Sequence, residues 1–329
     1  MLTRLNALAA IVALAACAGA ATSAQSVKGT IALKGIPEGV GVNYLTNRIY
    51  VPISAFDDVS DSLAIIDGKS DTVIQTLTIP PVGKTVAVDV VRNLIYVGGS
   101  YLDVNGVQQS KVAVISGKSN KLIAMIPITT TPGTGIEALA VNPISGEIYV
   151  ANASDDVVDV IAAGGEKVRT QISVPESPYG IAVNPYNNQV YVAISNGTVA
   201  VIDGRNDKLA GSATVGGANA GIGVNLASGK AFVTNNTSGP STVGILSKTG
   251  AVLANVAVGR TPFDVDVDLV TNLAFVTNVE DSTISVIDGN SNRVRKLLPV
   301  AGLYIAVNPG TQKVYVAGQD NSITVIKEN

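Results

Sequence analysis

A single seven-bladed β-propeller is the fold class that the sequence predicts. Three observations carry it: a repeat that counts to seven, four short β-branched runs in each repeat, and a stray strand at the front that completes an unfinished repeat at the back. The most legible unit is Pro178-Tyr179-Gly180-Ile181-Ala182-Val183-Asn184, then Gln189-Val190-Tyr191-Val192-Ala193, then Thr198-Val199-Ala200-Val201-Ile202-Asp203-Gly204, with a fourth apolar stretch over 209–215. The aromatic of the second run recurs at Tyr50, Tyr96, Tyr149, Tyr191, Phe232, Phe275 and Tyr315, at spacings of 40 to 53 residues. Gly, Asn, Asp and Pro separate the runs, which is strand and turn chemistry, and no stretch has the 3.6-residue period of a helix. A lone four-stranded sheet that is apolar on both faces cannot shield itself, whereas radial packing gives each sheet a neighbour on either side. The last copy stops after its third strand, at 322–326, and a strand at 27–33 fits the missing fourth position, so the two ends are expected to share one blade.

The first residues read as an export leader. Arg4 supplies the positive start, an apolar run extends to Ala16, and small residues follow to Ala24. Two processing routes fit: cleavage after Ala24, or acylation of Cys17 behind Leu14-Ala15-Ala16, as in bacterial lipoproteins. The expected organisation is therefore a leader over 1–24 and one propeller over 25–329. Its expected place is the periplasm, the cell exterior or, if Cys17 is lipidated, the outer membrane. Cys17 is the only cysteine, which rules out a disulfide framework.

The repeat resembles the YVTN family of β-propellers. Phe232-Val233-Thr234-Asn235 and Phe275-Val276-Thr277-Asn278 carry its second-strand motif, five other copies have Tyr-Val there, and Ile65-Ile66-Asp67-Gly68, Val201-Ile202-Asp203-Gly204 and Val286-Ile287-Asp288-Gly289 carry its third-strand motif. The resemblance implies a propeller that is exported or surface-associated, and it names no activity. A WD40 reading fails because the chain has no Trp and no His.

The absence of histidine removes the commonest general base, zinc ligand and haem ligand together. Ser-His-Asp and Cys-His catalysis are excluded, and no Gly-rich phosphate loop is present. A net charge of −3 argues against a broad nucleic-acid surface. What remains is position in the blade. The residue entering each inner strand varies while its flanks stay nearly fixed: Glu38, Lys84, Glu137, Tyr179, Ala220, Phe263 and Leu303. These are the candidate ligand contacts, and they read equally as ordinary rim residues.

One inner strand departs from the pattern, placing Asp264 and Asp266 where other copies have mainly Gly or Ala. The pair reads as a Ca²⁺ site, as a proton-sharing pair, as ion-pair partners of a cation such as Lys84 or Arg260, or as structural hydrogen bonding. Asp268, by contrast, matches the turn-forming Asn43, Asp89, Asn142, Asn184, Asn225 and Asn308. The loops between second and third strands carry Asp57, Asp58, Asp61, Asp103, Asp155, Asp156, Glu280, Asp281 and Asp320, while the opposite turns are rich in Lys and Arg, which predicts a polar disc. The longest loop, 98–110, offers Tyr101, Leu102 and Val107 as partner contacts.

The function expected is a noncatalytic binding module of the envelope, without a cofactor, recognising a protein, polymer or small ligand. The alternatives are a Ca²⁺-assisted hydrolase using Asp264, Asp266 and Glu137, and a DNA-binding propeller using the basic turns.

Overall fold

The computed structural model describes residues 25–54, 60–128, 131–133, 135–237 and 240–328. The leader with Arg4 and Cys17, and the loop residues Asp57 and Asp58, lie outside them. Within them the chain forms seven four-stranded antiparallel sheets, and no helix. Blades 1 to 6 are residues 41–79, 85–128, 136–173, 178–214, 218–257 and 262–298, and each runs in chain order from its inner strand to its outer edge. Blade 7 is composite: Tyr304–Asn308, Lys313–Gly318 and Ser322–Glu328 are completed by Gln25–Ala32 from the front of the chain. The expected closure is what the fold shows, in the register Ile31↔Ile323, Gly29↔Val325 and Val27↔Ile326.

The core lies between blades. Tyr50, Tyr96, Tyr149, Tyr191, Phe232, Phe275 and Tyr315 are all buried. Each packs against a neighbouring sheet: Tyr50 lies with Ile95 and Val97 of blade 2, and Tyr315 with Ile49 and Val51 of blade 1. Second strands are covered on both faces, which is why they read as unbroken apolar runs instead of alternating ones.

Outer strands face solvent and need another device, because an unpaired row of N–H and C=O groups templates further pairing. Every blade carries a β-bulge at the same point of its outer strand. The extra residue is Lys28, Ile74, Ile123, Arg169, Ala210, Leu253 or Arg295. A bulge twists the edge and breaks its hydrogen-bonding rhythm.

The Thr residues of the two Phe-Val-Thr-Asn motifs stitch neighbouring blades, and the Asn residues brace the strand ends beside them. Thr234 Oγ1 accepts the Gly221 N–H and donates to Phe263 O in the next blade. Thr277 Oγ1 accepts the Asp264 N–H and donates to Leu303 O. Asn235 Nδ2 donates to Val215 O and Asn278 Nδ2 to Ser285 Oγ, so the motif's polar residues serve the architecture.

At the far end of each inner strand the expected turn-formers do two jobs. Asn308 Oδ1 accepts the Gly310 N–H, while its Nδ2 donates to Asn47 Oδ1 of blade 1, at 2.8 Å. Asn43–Asn93, Asn142–Asn188 and Asn225–Asn272 repeat this clasp. The receiving residues sit at φ of 52° to 57°, a left-handed conformation that Asn tolerates better than most residues. Asn308→Ala removes both jobs at a fully buried position, and denaturant unfolding should show a loss of about 1–2 kcal/mol.

The clasp between blades 6 and 7 is different, because two carboxyl groups meet there. Asp268 and Glu328 are both buried and close enough to interact, Asp268 Oδ2 and Glu328 Oε1 have no other hydrogen-bond partner among the described residues, and Thr271 Oγ1 donates to Glu328 Oε2. Two such groups cannot both ionise, so they hold one proton between them. Burial and the Asp268 charge push Glu328 up from 4.5 to about 9, so the folded state keeps a proton that the unfolded chain releases. Stability from this pair is full below the unfolded value and is lost as pH rises through the raised one. Glu328→Gln keeps a hydrogen bond without a proton to lose. Melting curves between pH 7 and 10 should fall for the wild type and fall less for the variant.

Candidate functional site

Six of the seven candidate entry residues meet in one place. Glu38, Lys84, Glu137, Tyr179, Ala220 and Phe263 line a central cavity of about 430 Å³, together with Asp264 and Asp266. Tyr44, Leu226 and Leu269, just beyond the far ends of the inner strands, also line it. Register breaks help to place the ring. Pairing skips a step between Ile136 and Ala138, Pro178 and Gly180, Asn219 and Ile222, and Pro262 and Val265, leaving Glu137, Tyr179, Ala220 and Phe263 in the bulges. A bulge re-aims a side chain that the regular pleat would point into a blade interface.

Leu303 is a correction. In blade 7 the cavity is lined by Tyr304, one residue later, at the position held by Gly39, Thr85, Ala138, Gly180, Gly221 and Asp264 in the other blades. A large side chain there reaches the mouth from the next step of the strand, and its ring meets Phe263 edge-on, with centroids 5.5 Å apart at 81°. An aromatic where six repeats carry smaller residues was the signal available in the sequence.

The mouth is divided. Blades 1 to 3 supply Glu38, Lys84 and Glu137, and Lys84 Nζ is ion-paired to Glu137 Oε1. Burial raises the Glu137 carboxyl above its ordinary value, and the Lys84 charge opposes the shift. Glu38 is also raised by burial, again with Lys84 opposing. Its carboxylate makes no hydrogen bond or ion pair among the described residues. Blades 4, 6 and 7 supply the aromatic groups Tyr179, Phe263 and Tyr304.

Deeper in, the two inner-strand carboxylates reach across to blade 7. Asp264 Oδ1 accepts the Val265 N–H and Oδ2 the Ile305 N–H; Asp266 Oδ1 accepts the Val267 N–H and Oδ2 the Val307 N–H. Between blades 4 and 5 and between blades 5 and 6 this space is closed by direct approach. A Cβ on Gly221 would lie 2.7 Å from Asp264 Cα, and one on Gly180 would lie 2.2 Å from Ala220 O. Between blades 6 and 7 the two aspartates bridge the inner strands instead. All four oxygens are thus engaged, which matches the structural hydrogen-bonding reading, and no group of three or more His, Cys, Asp or Glu suited to a metal occurs among the described residues.

The loop charges are less available than the sequence implied. Asp61 accepts the Gly83 N–H, Asp155 is bonded to Thr131, Asp156 accepts the Ser177 N–H, Asp320 accepts from Ser322, and Arg260 reaches both Asp281 and Glu280. On the opposite face Arg48, Arg92, Arg205 and Lys313 are paired with Asp67, Asp89, Asp203 and Asp71. The long loop of blade 2 is a β-hairpin extension whose tip exposes Leu102, Val104 and Val107.

These features define a β-propeller with a central, mouth-accessible cavity. No family model matches the chain, and no curated protein matches it in sequence. Among solved structures it is similar to hydrazine synthase of Kuenenia stuttgartiensis, with a TM-score of 0.74 over 90% of this chain and 96% of that one, at 14% identity. Likeness at this level establishes the shared fold alone.

Proposed function

We propose that the protein is a noncatalytic, exported β-propeller of the YVTN type that acts in the cell envelope as a binding module and takes its ligand at the channel mouth. The observation that carries this reading is the convergence of six dissimilar entry residues on one cavity, while the residues the repeats share are occupied with packing, stitching and turns. Varied side chains on a rigid, repeated frame are the usual arrangement for recognition. The noncatalytic part rests on the lack of histidine and on Asp264 and Asp266, whose oxygens hold backbone N–H groups instead of standing ready to activate water.

Closing the mouth tests it. Ala220→Trp places a large ring at a small, part-exposed position of the cavity wall, where the blade itself has little packing to lose. In a ligand-observed NMR screen of small charged and aromatic compounds, hits on the wild type should disappear in the variant while its melting temperature holds. Hits that survive in the variant would move the binding surface to the exposed hairpin tip of blade 2.

A further inference from the structure

The divided mouth specifies more than a place to bind. Building on the mouth as the binding site, we infer that its ligand is an organic cation: an ammonium group joined to an apolar, ring-sized body, either as a free small molecule or as a lysine-type side chain presented by a partner.

The charge balance comes first. Four carboxyl groups face the cavity, Glu38, Glu137, Asp264 and Asp266, against the single ammonium of Lys84, which is spent on Glu137. An anion entering here meets like charge with no free base to receive it. Glu38 stands at the entrance without a partner of its own among the described residues, and a half-buried carboxylate is best satisfied by a charge-assisted hydrogen bond.

The second argument is the aromatic lining. Tyr179, Phe263 and Tyr304 offer ring surface in the same cavity as those carboxylates, and aromatic faces attract cations while also covering an apolar body. The third is size. A cavity of about 430 Å³ is in the range of small-molecule sites and is far larger than a bare ion requires, and the metal-type cluster a hard cation needs is absent among the described residues. The elevated proton affinity of Glu38 adds a consequence: binding a cation opposes its protonation, so affinity should rise with pH as Glu38, and with it the cavity-lining Asp264 and Asp266, ionise.

Titration calorimetry at low ionic strength with three probes that share a ring tests the assignment: phenethylammonium, phenethyl alcohol and 3-phenylpropanoate. The ammonium should bind at least tenfold more tightly than the alcohol, the carboxylate should not bind, and added salt should weaken only the ammonium. Glu38→Gln should remove that tenfold preference and leave the alcohol unchanged. Lys84→Met should do the reverse: it frees Glu137 and tightens the ammonium several-fold, a gain that a misfolded variant cannot produce. An acetylated hexapeptide containing adjacent Phe and Lys separates the sources. Saturation by the free amine points to a small molecule, and binding by the peptide alone points to a protein partner. Alcohol or carboxylate binding as tight as the ammonium's, abolished by Ala220→Trp, overturns the cation and leaves the mouth standing. No binding by the amine or the peptide at millimolar concentration overturns the cation assignment outright, while the NMR screen decides the mouth independently.

Discussion

A chain beginning at Leu33, without Gln25–Ala32, is expected to lose cooperative folding rather than one blade's worth of stability. That strand does more than complete a sheet. Ile31 is buried against Ile49, Val51 and Ala64 of blade 1 and Ile323 and Val325 of blade 7. Lys28 is ion-paired to Asp71 in blade 1, and Lys296 of blade 6 donates to Gln25 O. The strand therefore touches both blades that flank the seam. Removing it bares the whole edge of Ser322–Glu328 and opens the apolar face shared by blades 7 and 1. The cost should be roughly 5 kcal/mol or more, which is most of the stability of an ordinary domain. Circular dichroism with denaturant, alongside size-exclusion chromatography, reads it. An unchanged midpoint in the truncated chain would mean that the ring closes without its latch.

The second large effect is a pH dependence set by Asp264 and Asp266. Burial pushes Asp264 from 3.8 up to about 6 and Asp266 up to about 7, while the backbone N–H groups that each accepts pull the other way. Folding therefore raises both values. Between about pH 4 and pH 7 the native state retains protons that the unfolded chain has lost, so stability is highest at the acid end, declines through that window and levels off above it. Both side chains are partly open to the cavity, and solvent there screens the charge, so the total should be about 3 kcal/mol, well below what the shifts alone would give. The double variant Asp264→Asn with Asp266→Asn, which has no carboxyl to ionise there, should lose this share of the decline and keep only the share that Glu328 contributes. A flat wild-type profile would mean that the four N–H hydrogen bonds fully offset the desolvation.

Architecture was legible because a propeller is written along the chain. The second-strand aromatic and the Asn or Asp that ends the inner strand each recur once per blade, and a strand left over at one end matches a gap at the other. Asp268 is the instructive exception. Its position identified it as a turn-former, which it is, but its buried partner Glu328 is the last residue of the closing blade and lies 60 positions away.

The candidate site was legible by position but not by arrangement. Aligning the repeats found six of the cavity's contributors, because ring symmetry sends equivalent positions to one mouth. It substituted Leu303 for Tyr304, since alignment assumes that every blade presents the same step of its strand, and a bulky side chain can reach the same space from the next one. The repeat alone thus determined blade count, strand order, closure and the ring of entry residues, all of which follow from local pattern and symmetry. Only the folded ring decided which carboxylates are spent on backbone N–H groups, which is left unpaired, and that Tyr304 joins Tyr179 and Phe263 at the mouth. Those outcomes depend on distances between blades, and a one-dimensional repeat carries no record of them.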